Sequence, residues 1–287
     1  MKKNGTVLVT GGASGIGVVI ARRMLADGYD VHICDASPDA ISALKASDPD
    51  IKATVADIAD VEAVGNLFHE IDSQHGGLAV LVNNAGIAGP TAAIEDIDPA
   101  DWERTIAVDL NGQFYCTRLA VPMLKKSGGG SIINIASNAA FFGFPLRAPY
   151  TACKWATIGL TKTLAMELGP FGIRVNAICP GSVKGPRIDG VIERDAAERG
   201  MTPEQIREVY LRQSSMRIFV SAEDVANLAA FLASDAGASI SGQALGLDGH
   251  TEGLTNWLDK YRENKKNEGS VVRTIRSRQG RPANRNA

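Results

Sequence analysis

The chemistry available to this chain is concentrated in Tyr150-Thr151-Ala152-Cys153-Lys154, where a tyrosine precedes a lysine by four residues. On a helix that spacing puts both side chains on one face, about one turn apart. An ammonium held under a phenol favours the phenolate, which suits the tyrosine to proton transfer near neutral pH. The pair alone specifies nothing, since most such pairs are solvated surface residues. It needs a cofactor and a companion donor from elsewhere in the chain.

A cofactor turn stands at the start. Thr6–Thr10 (TVLVT) is a β-branched run that breaks into Gly11-Gly12-Ala13-Ser14-Gly15-Ile16-Gly17, after which helical periodicity begins. A glycine turn between strand and helix offers backbone N–H groups at the positive helix end, where a pyrophosphate is the usual guest. The form is T-G-x-x-x-G-x-G, not G-x-G-x-x-G, because Ile20 stands where the last glycine would fall. Gly11, Ser14, Gly15, Ile16 and Gly17 are therefore candidate cofactor contacts; the alternative is a tight turn that packs helix on strand. Asp35 follows the second strand, 18 residues after Gly17. A carboxylate there accepts from both ribose hydroxyls and repels a 2′-phosphate, so NAD(H) is expected over NADP(H). The other reading is a helix-initiating turn aspartate. Asp57 has two readings as well, acceptor for an adenine amino group or N-cap of the next helix. Asn83-Asn84-Ala85-Gly86 ends the fourth strand with small residues that let backbone approach a nucleotide.

These groups must be positioned by an alternation of elements. Strands are read at Val31–Cys34, Lys52–Ala56, Leu78–Val82, Ser131–Ile135, Arg174–Ile178 and Ala244–Leu247, after the first at Thr6–Thr10. Helical patterns fall between them, at Asp39–Ala46, Val61–Ser73, around Trp102 and Ile106, Asn111–Leu124 and Tyr150–Gly169. That rhythm implies an α/β fold, one Rossmann-type doubly wound domain over residues 1–250. Pro180–Gly200 reads as irregular and Pro203–Gln213 as a helix capped by Thr202, together a lid at about 180–215. Residues 251–287 read as a basic extension, mobile at its end.

Composition sets the remaining bounds. Of 287 residues, 45% are hydrophobic and 22% charged, as in a folded globular protein. Net charge is −2, which does not point to nucleic acid. Residues 260–287 carry +7, leaving −9 for the rest, and this tail is expected to stay solvated. Cys34, Cys116, Cys153 and Cys179 are scattered and read as reduced, buried thiols. The four histidines are isolated, so no metal site is expected. No long apolar run precedes the first strand, so a cytoplasmic protein without membrane contact is expected.

In order and spacing these residues resemble the short-chain dehydrogenase/reductase family over about residues 5–250. The match comprises TGGASGIG at 10–17, Asp57-Ile58, NNAG at 83–86, Asn111, Ser137, YTACK at 150–154 and Pro180-Gly181, with Ser137 thirteen residues before Tyr150. The resemblance implies a seven-stranded parallel sheet flanked by helices. It implies Tyr150 as general acid/base, Lys154 as its electrostatic support and a ribose contact, and Ser137 as the hand on the substrate oxygen. Asn111 would complete a proton relay through water. Ile58, Asn84, Ala85, Gly86, Pro180, Gly181 and Val183 join the expected cofactor contacts. Two departures stand out: Gly185 follows Lys184 where members often have threonine, and many members carry asparagine where Asp109 stands. Neither is expected to touch the acid/base set.

The expected reaction is NAD-dependent interconversion of an alcohol (secondary, sugar or polyol-like) and its carbonyl. Phe141, Phe142, Phe144, Pro145 and Arg147 precede Tyr150, and Arg187, Arg194 and Arg199 lie in the lid. Arg147 or Arg187 would anchor an anionic substrate, against the reading that lid arginines face solvent. The competing readings are an NADPH-linked 3-oxoacyl-carrier ketoreductase and a non-catalytic nucleotide-sensing scaffold. A homo-oligomer, tetramer or dimer, is implied through the helices at 100–124 and 151–169.

Overall fold

Strand β1 (Thr6–Thr10) is buried along its whole length, which a β-branched apolar run permits only in a sheet covered on both faces. A computed structural model describes residues 4–251 and builds that sheet from seven parallel strands. The others are β2 (Asp30–Asp35), β3 (Lys52–Val55), β4 (Val80–Asn83), β5 (Gly130–Ile135), β6 (Ile173–Pro180) and β7 (Ala244–Leu247), in the order β3-β2-β1-β4-β5-β6-β7. The order reverses between β1 and β4, and the crevice outside the carboxyl ends of these two strands is where ligands bind in such sheets. The tail beyond Thr251, with its expected mobility, lies outside the described residues.

Side-chain alternation splits the core into two layers. Val7 and Val9 face a cluster with Ile20 and Met24 of α1 (Gly15–Ala26), Ile41 and Leu44 of α2 (Pro38–Ser47), and Val225 and Leu232 of a later helix. Leu8 faces the opposite cluster, with Leu67 and Ile71 of α3 (Val61–His75) and Cys116 and Leu124 further along. Four more helices complete the first two-thirds and open the lid: α4 (Pro99–Ile106), α5 (Gly112–Lys126), α6 (Ala148–Leu168) and α7 (Pro186–Arg199). Then follow α8 (Pro203–Gln213) and α9 (Ala222–Ala233). Between α4 and α5 the chain makes a π turn, Ala107–Asn111.

The described residues correct two readings of the chain between β6 and β7. Pro180–Gly200 is not irregular throughout, because Pro186 opens α7 and Gly200 closes it in the left-handed conformation at φ 62. Its buried Val191, Ile192, Asp195 and Ala196 recur with helical period, and Gly190 is tolerated because tertiary packing outweighs its propensity. Helix α9 is additional. Ser221 and Asp224 form a reciprocal capping box, and Val225, Ala226, Ala229, Ala230 and Leu232 are buried.

Candidate active site

The ends of β1 and β4 are knitted by one hydroxyl. Thr10 Oγ1 accepts from the amides of Asn84 and Ala85, both at 3.0 Å, while Asn84 Nδ2 donates to the carbonyls of Thr10 (3.0 Å) and Gly11 (2.9 Å). Gly11, at φ +59, passes so close that a Cβ would lie 2.8 Å from the Ala85 Cα. A Cβ on Gly17 would lie 2.1 Å from the Gly11 carbonyl oxygen, so this glycine packs α1 against the turn. Gly17 does not line the cavity around these ends. Ser14 stands at the N-cap of α1 and makes no side-chain cap bond there.

Around these ends lies a cavity of about 720 Å³, within the size range of small-molecule and cofactor sites. Gly11, Ser14, Gly15, Ile16 and Asp35 line one end, and Asp57, Ile58, Asn84, Ala85 and Gly86 the floor. Ser137, Tyr150 and Lys154 come together with Pro180, Gly181, Val183, Arg147 and Arg187 along the other side. Asp35 both initiates its turn and faces the cavity: Oδ1 accepts from the Ser37 amide at 3.0 Å and Oδ2 from Ala13 at 3.2 Å. For Asp57 the capping alternative falls, since Asp60 caps α3 by accepting from Glu62 and Ala63. Asp57 instead accepts from the Ala59 amide at 3.0 Å and pairs with Arg104 at 2.8 Å. Burial pulls its carboxyl upward, but the Ala59 amide and the Arg104 guanidinium outweigh that and hold it below the usual range.

Helix α6 presents Tyr150 and Lys154 because its inner face is pinned by a buried polar chain. Asn83 Nδ2 donates to Asn134 Oδ1 at 2.9 Å and to Thr117 Oγ1 at 3.0 Å, and Asn134 Nδ2 donates to Thr161 Oγ1 at 2.9 Å. Linked amides of this kind fix α6 against β4, β5 and α5. Lys154, 5% exposed, donates to the Ile135 carbonyl at 3.3 Å, and its Nζ lies 5.3 Å from the Tyr150 ring centre. Ser137 Oγ accepts from the Ala139 amide at 3.2 Å, so the hydroxyl caps a short 3₁₀ turn and lines the cavity as well.

Asn111 ends the π turn and does not line the cavity; it is Asp109, two residues earlier, whose Oδ2 lies 3.5 Å from Lys154 Nζ. Residues two apart on a helical turn face different directions, so only one of them can meet the lysine. The expectation that Asp109 leaves the acid/base set untouched is thereby overturned. A charge inside the apolar run Ile106-Ala107-Val108-Asp109-Leu110 was the available sequence signal.

Arg147 is 5% exposed. Its Nη2 donates to the Ala88 carbonyl at 2.7 Å, its Cζ lies 4.9 Å from the Tyr150 ring centre, and its Nε has no hydrogen-bond partner among the described residues. Burial pushes its guanidinium pKa down. Arg187 Nη1 donates to the Gly86 carbonyl at 2.9 Å, which latches α7 to the cavity floor. Arg199 instead pairs with Asp195, and Arg194 does not line the cavity. Of the phenylalanines before Tyr150 only Phe144 lines it, beside a residue that sequence reasoning missed, Tyr210 of α8. Ile206 and Tyr210, four apart and both buried, carried that signal as helical periodicity. All four cysteines are buried free thiols.

Known proteins bear on this geometry. The sequence model described as "Enoyl-(Acyl carrier protein) reductase" matches residues 11–251. A D-beta-hydroxybutyrate dehydrogenase of Rhizobium meliloti (strain 1021) is 37% identical over 251 residues, covering 85% of this chain and 97% of the relative. A trans-4-hydroxycyclohexanecarboxylate dehydrogenase of Sinomonas cyclohexanicum is 38% identical over 252 residues, covering 84% and 90%. The crystal structure of an NAD+-bound xylitol dehydrogenase superposes with a TM-score of 0.83 at 27% identity, covering 86% of this chain and 99% of the other. The chain belongs to the short-chain dehydrogenase/reductase family and is an NAD(P)-dependent oxidoreductase that acts on CH–OH groups.

Proposed function

We propose that this enzyme interconverts a secondary alcohol bearing a carboxylate and the corresponding oxo acid, with NAD(H) as cofactor. The observation that carries the substrate class is Arg147. A guanidinium this deeply buried, with an unused Nε beside the Tyr150 ring, is costly unless an anion meets it during turnover. It is delivered by Leu146, whose φ of 65 is strained for a side chain with a Cβ. Two relatives are named for alcohols that carry a carboxylate, which agrees with the same reading.

The cofactor end fits a dinucleotide. The Gly11–Gly15 turn with Ser14 and Ile16 would take the pyrophosphate, Asp35 the adenosine ribose, and Asp57 with Ile58 the adenine edge. Asn84, Ala85 and Gly86 would let the ribose approach, and Pro180, Gly181 and Val183 would flank the nicotinamide. When bound, the nicotinamide supplies the hydride acceptor or donor. Tyr150 removes the hydroxyl proton during oxidation and returns it during reduction. Lys154 favours the anionic form of that tyrosine, and Ser137 holds the substrate oxygen so that proton and hydride leave from a fixed geometry. The geometry offers no support for a relay through Asn111. Residues 1–250 act as one catalytic domain, with α7 and α8 as the lid. An acyl-carrier ketoreductase is the second reading, supported by a 3-oxoacyl-[acyl-carrier-protein] reductase of Staphylococcus aureus (strain Mu50 / ATCC 700699) that is 35% identical over 254 residues.

A panel of hydroxy acids, sugars and sulfonated alcohols with NAD+, using Tyr150→Phe as blank, tests the reaction. Arg147→Ala should raise KM for the hydroxy acid by roughly 10- to 100-fold, the worth of a charged hydrogen bond, and leave a neutral analogue almost unchanged. Equal effects on both would remove the carboxylate from the proposal.

A further inference from the structure

Two donors in the wall of the cavity are shielded from water and unpaired. Among the described residues several buried side-chain polar atoms make no hydrogen bond, but only Arg147 Nε and Gln213 Nε2 belong to residues that line the cavity. A donor left in that state is costly unless a ligand meets it. Gln213 is the last residue of α8, seven after Ile206 and three after Tyr210, which puts it on the helix face those two residues bury. An amide thus stands where the stripe would take an apolar side chain. The hydroxyl beside it is already engaged: Tyr210 donates to Asp195 Oδ2 at 3.4 Å, and Asp195 Oδ1 accepts from Arg199 Nε at 2.5 Å. The Tyr210 ring meets that of Phe144, with centroids 6.3 Å apart, and the Phe144 ring lies 5.8 Å from Arg147 Cζ. These contacts bring α8 to the side of the cavity where Arg147 and Tyr150 stand.

We propose that Gln213 is a specificity-determining residue, whose Nε2 donates to the substrate's carboxylate from the lid while Arg147 Nε donates to it from the start of α6. This rests on the reading of the substrate as a hydroxy acid. Arg147 Nη2 is taken by the Ala88 carbonyl, so Nε and Nη2 cannot act together as a two-pronged fork. A carboxylate presents about four acceptor sites on two oxygens, and a second donor is needed where the guanidinium offers one N–H. The end of α8 is anchored for this task. Ser214 Oγ donates to the Gly249 carbonyl at 2.9 Å and the Ser215 amide to the His250 carbonyl at 2.8 Å, beside an antiparallel bridge between Ser214 and Thr251. A parallel bridge between Val183 and Val220 ties the opposite end of the lid to the segment that follows it. An acid group gripped from two fixed elements stands at a set distance from Tyr150, so the spacing of acid and alcohol in the substrate is selected.

The decisive measurement is calorimetric titration of the NADH-loaded enzyme with D-3-hydroxybutyrate and with trans-4-hydroxycyclohexanecarboxylate. The cofactor is already reduced, so neither alcohol turns over and binding is read directly. Gln213→Leu removes the donor at similar volume, with Gln213→Ala as the second neutral variant should the first not fold. Gln213→Glu keeps the shape and sets a negative charge against the ligand. The acid that the parent binds more tightly should lose roughly tenfold or more in affinity in the neutral variant, the scale of a hydrogen bond to a charged group. It should lose still more in Gln213→Glu, where like charges face each other. A side chain that merely filled space predicts the opposite order, because glutamate resembles glutamine in shape more closely than leucine does. A smaller loss in the neutral variant, or tighter binding in Gln213→Glu than in Gln213→Leu, overturns the proposal. Arg147→Ala separates the two failures. If it weakens binding and the Gln213 variants do not, the carboxylate reading stands and the role of Gln213 falls; if the parent binds neither acid, both fall.

Discussion

At the scale of single residues, the site separates groups that act by charge from those that act by shape. Gly11 and Gly17 act by shape, since any Cβ at either position would collide with backbone. Asp35 acts by charge. Its carboxylate is held by the amides of Ser37 and Ala13, and under the proposed use of NAD(H) it would repel a 2′-phosphate. Replacing it by serine should therefore lower kcat/KM for NADH and raise it for NADPH, moving the ratio of the two by at least about tenfold, or some 1.4 kcal/mol. Steady-state rates with both cofactors check this; an unchanged ratio would mean that selectivity lies elsewhere in the cavity.

At the scale of elements, the opposite end of the sheet carries a pH dependence of its own. His32 on β2 is wholly buried; Nε2 lies 2.8 Å from Thr54 Oγ1 and Nδ1 lies 3.3 Å from His75 Nε2. Thr54 in turn donates to Glu70 at 2.7 Å, which ties β2 and β3 to α3. Burial pushes the His32 imidazole down to about 4, with Glu70 opposing and His75 adding to the shift. The unfolded imidazole titrates near 6.5. Between these values the unfolded chain binds a proton that the folded chain refuses. The contribution is thus fully present above pH about 6.5 and is lost as pH falls toward 4, amounting to roughly 2–3 kcal/mol at the low end. Urea unfolding at pH 7.5 and 4.5 should show that loss, and His32→Asn should flatten it. An equal pH slope in the variant would assign the loss to carboxylates instead.

At the scale of the whole molecule, α5 and α6 turn apolar side chains outward while their inner faces build the site. Phe114 is 50% exposed, Trp155 52% and Met166 82%. Large apolar groups on neighbouring helices mark a surface suited to self-association. A homo-oligomer is the expected state, visible by light scattering at micromolar concentration. Trp155→Glu with Met166→Glu should shift it to a smaller species, whereas a parent that is already monomeric would refute the idea. Among the described residues, no helix is long and apolar enough to cross a membrane.

The order of the fold was legible because each strand is a short apolar run bounded by turn residues, and each early helix has a full apolar stripe. Helix α7 was not, since Gly190 and Pro186 resemble loop residues until Val191, Ile192 and Ala196 find a core to pack into. Among site residues, Ser137, Tyr150, Lys154 and Asp35 could be singled out by type and spacing, and one cavity gathers all four. That Asn111 and Gly17 lie off the cavity lining could not be read from the chain alone. Direction on a π turn, and the closeness of one backbone to another, are properties of three dimensions. The sequence by itself determined the alternation of elements and the residue types available for chemistry, because periodicity and side-chain chemistry are local. Only the tertiary structure decided that Asp109 meets Lys154 and that Arg147 lies buried beside Tyr150, because both depend on which side chains are excluded from water together.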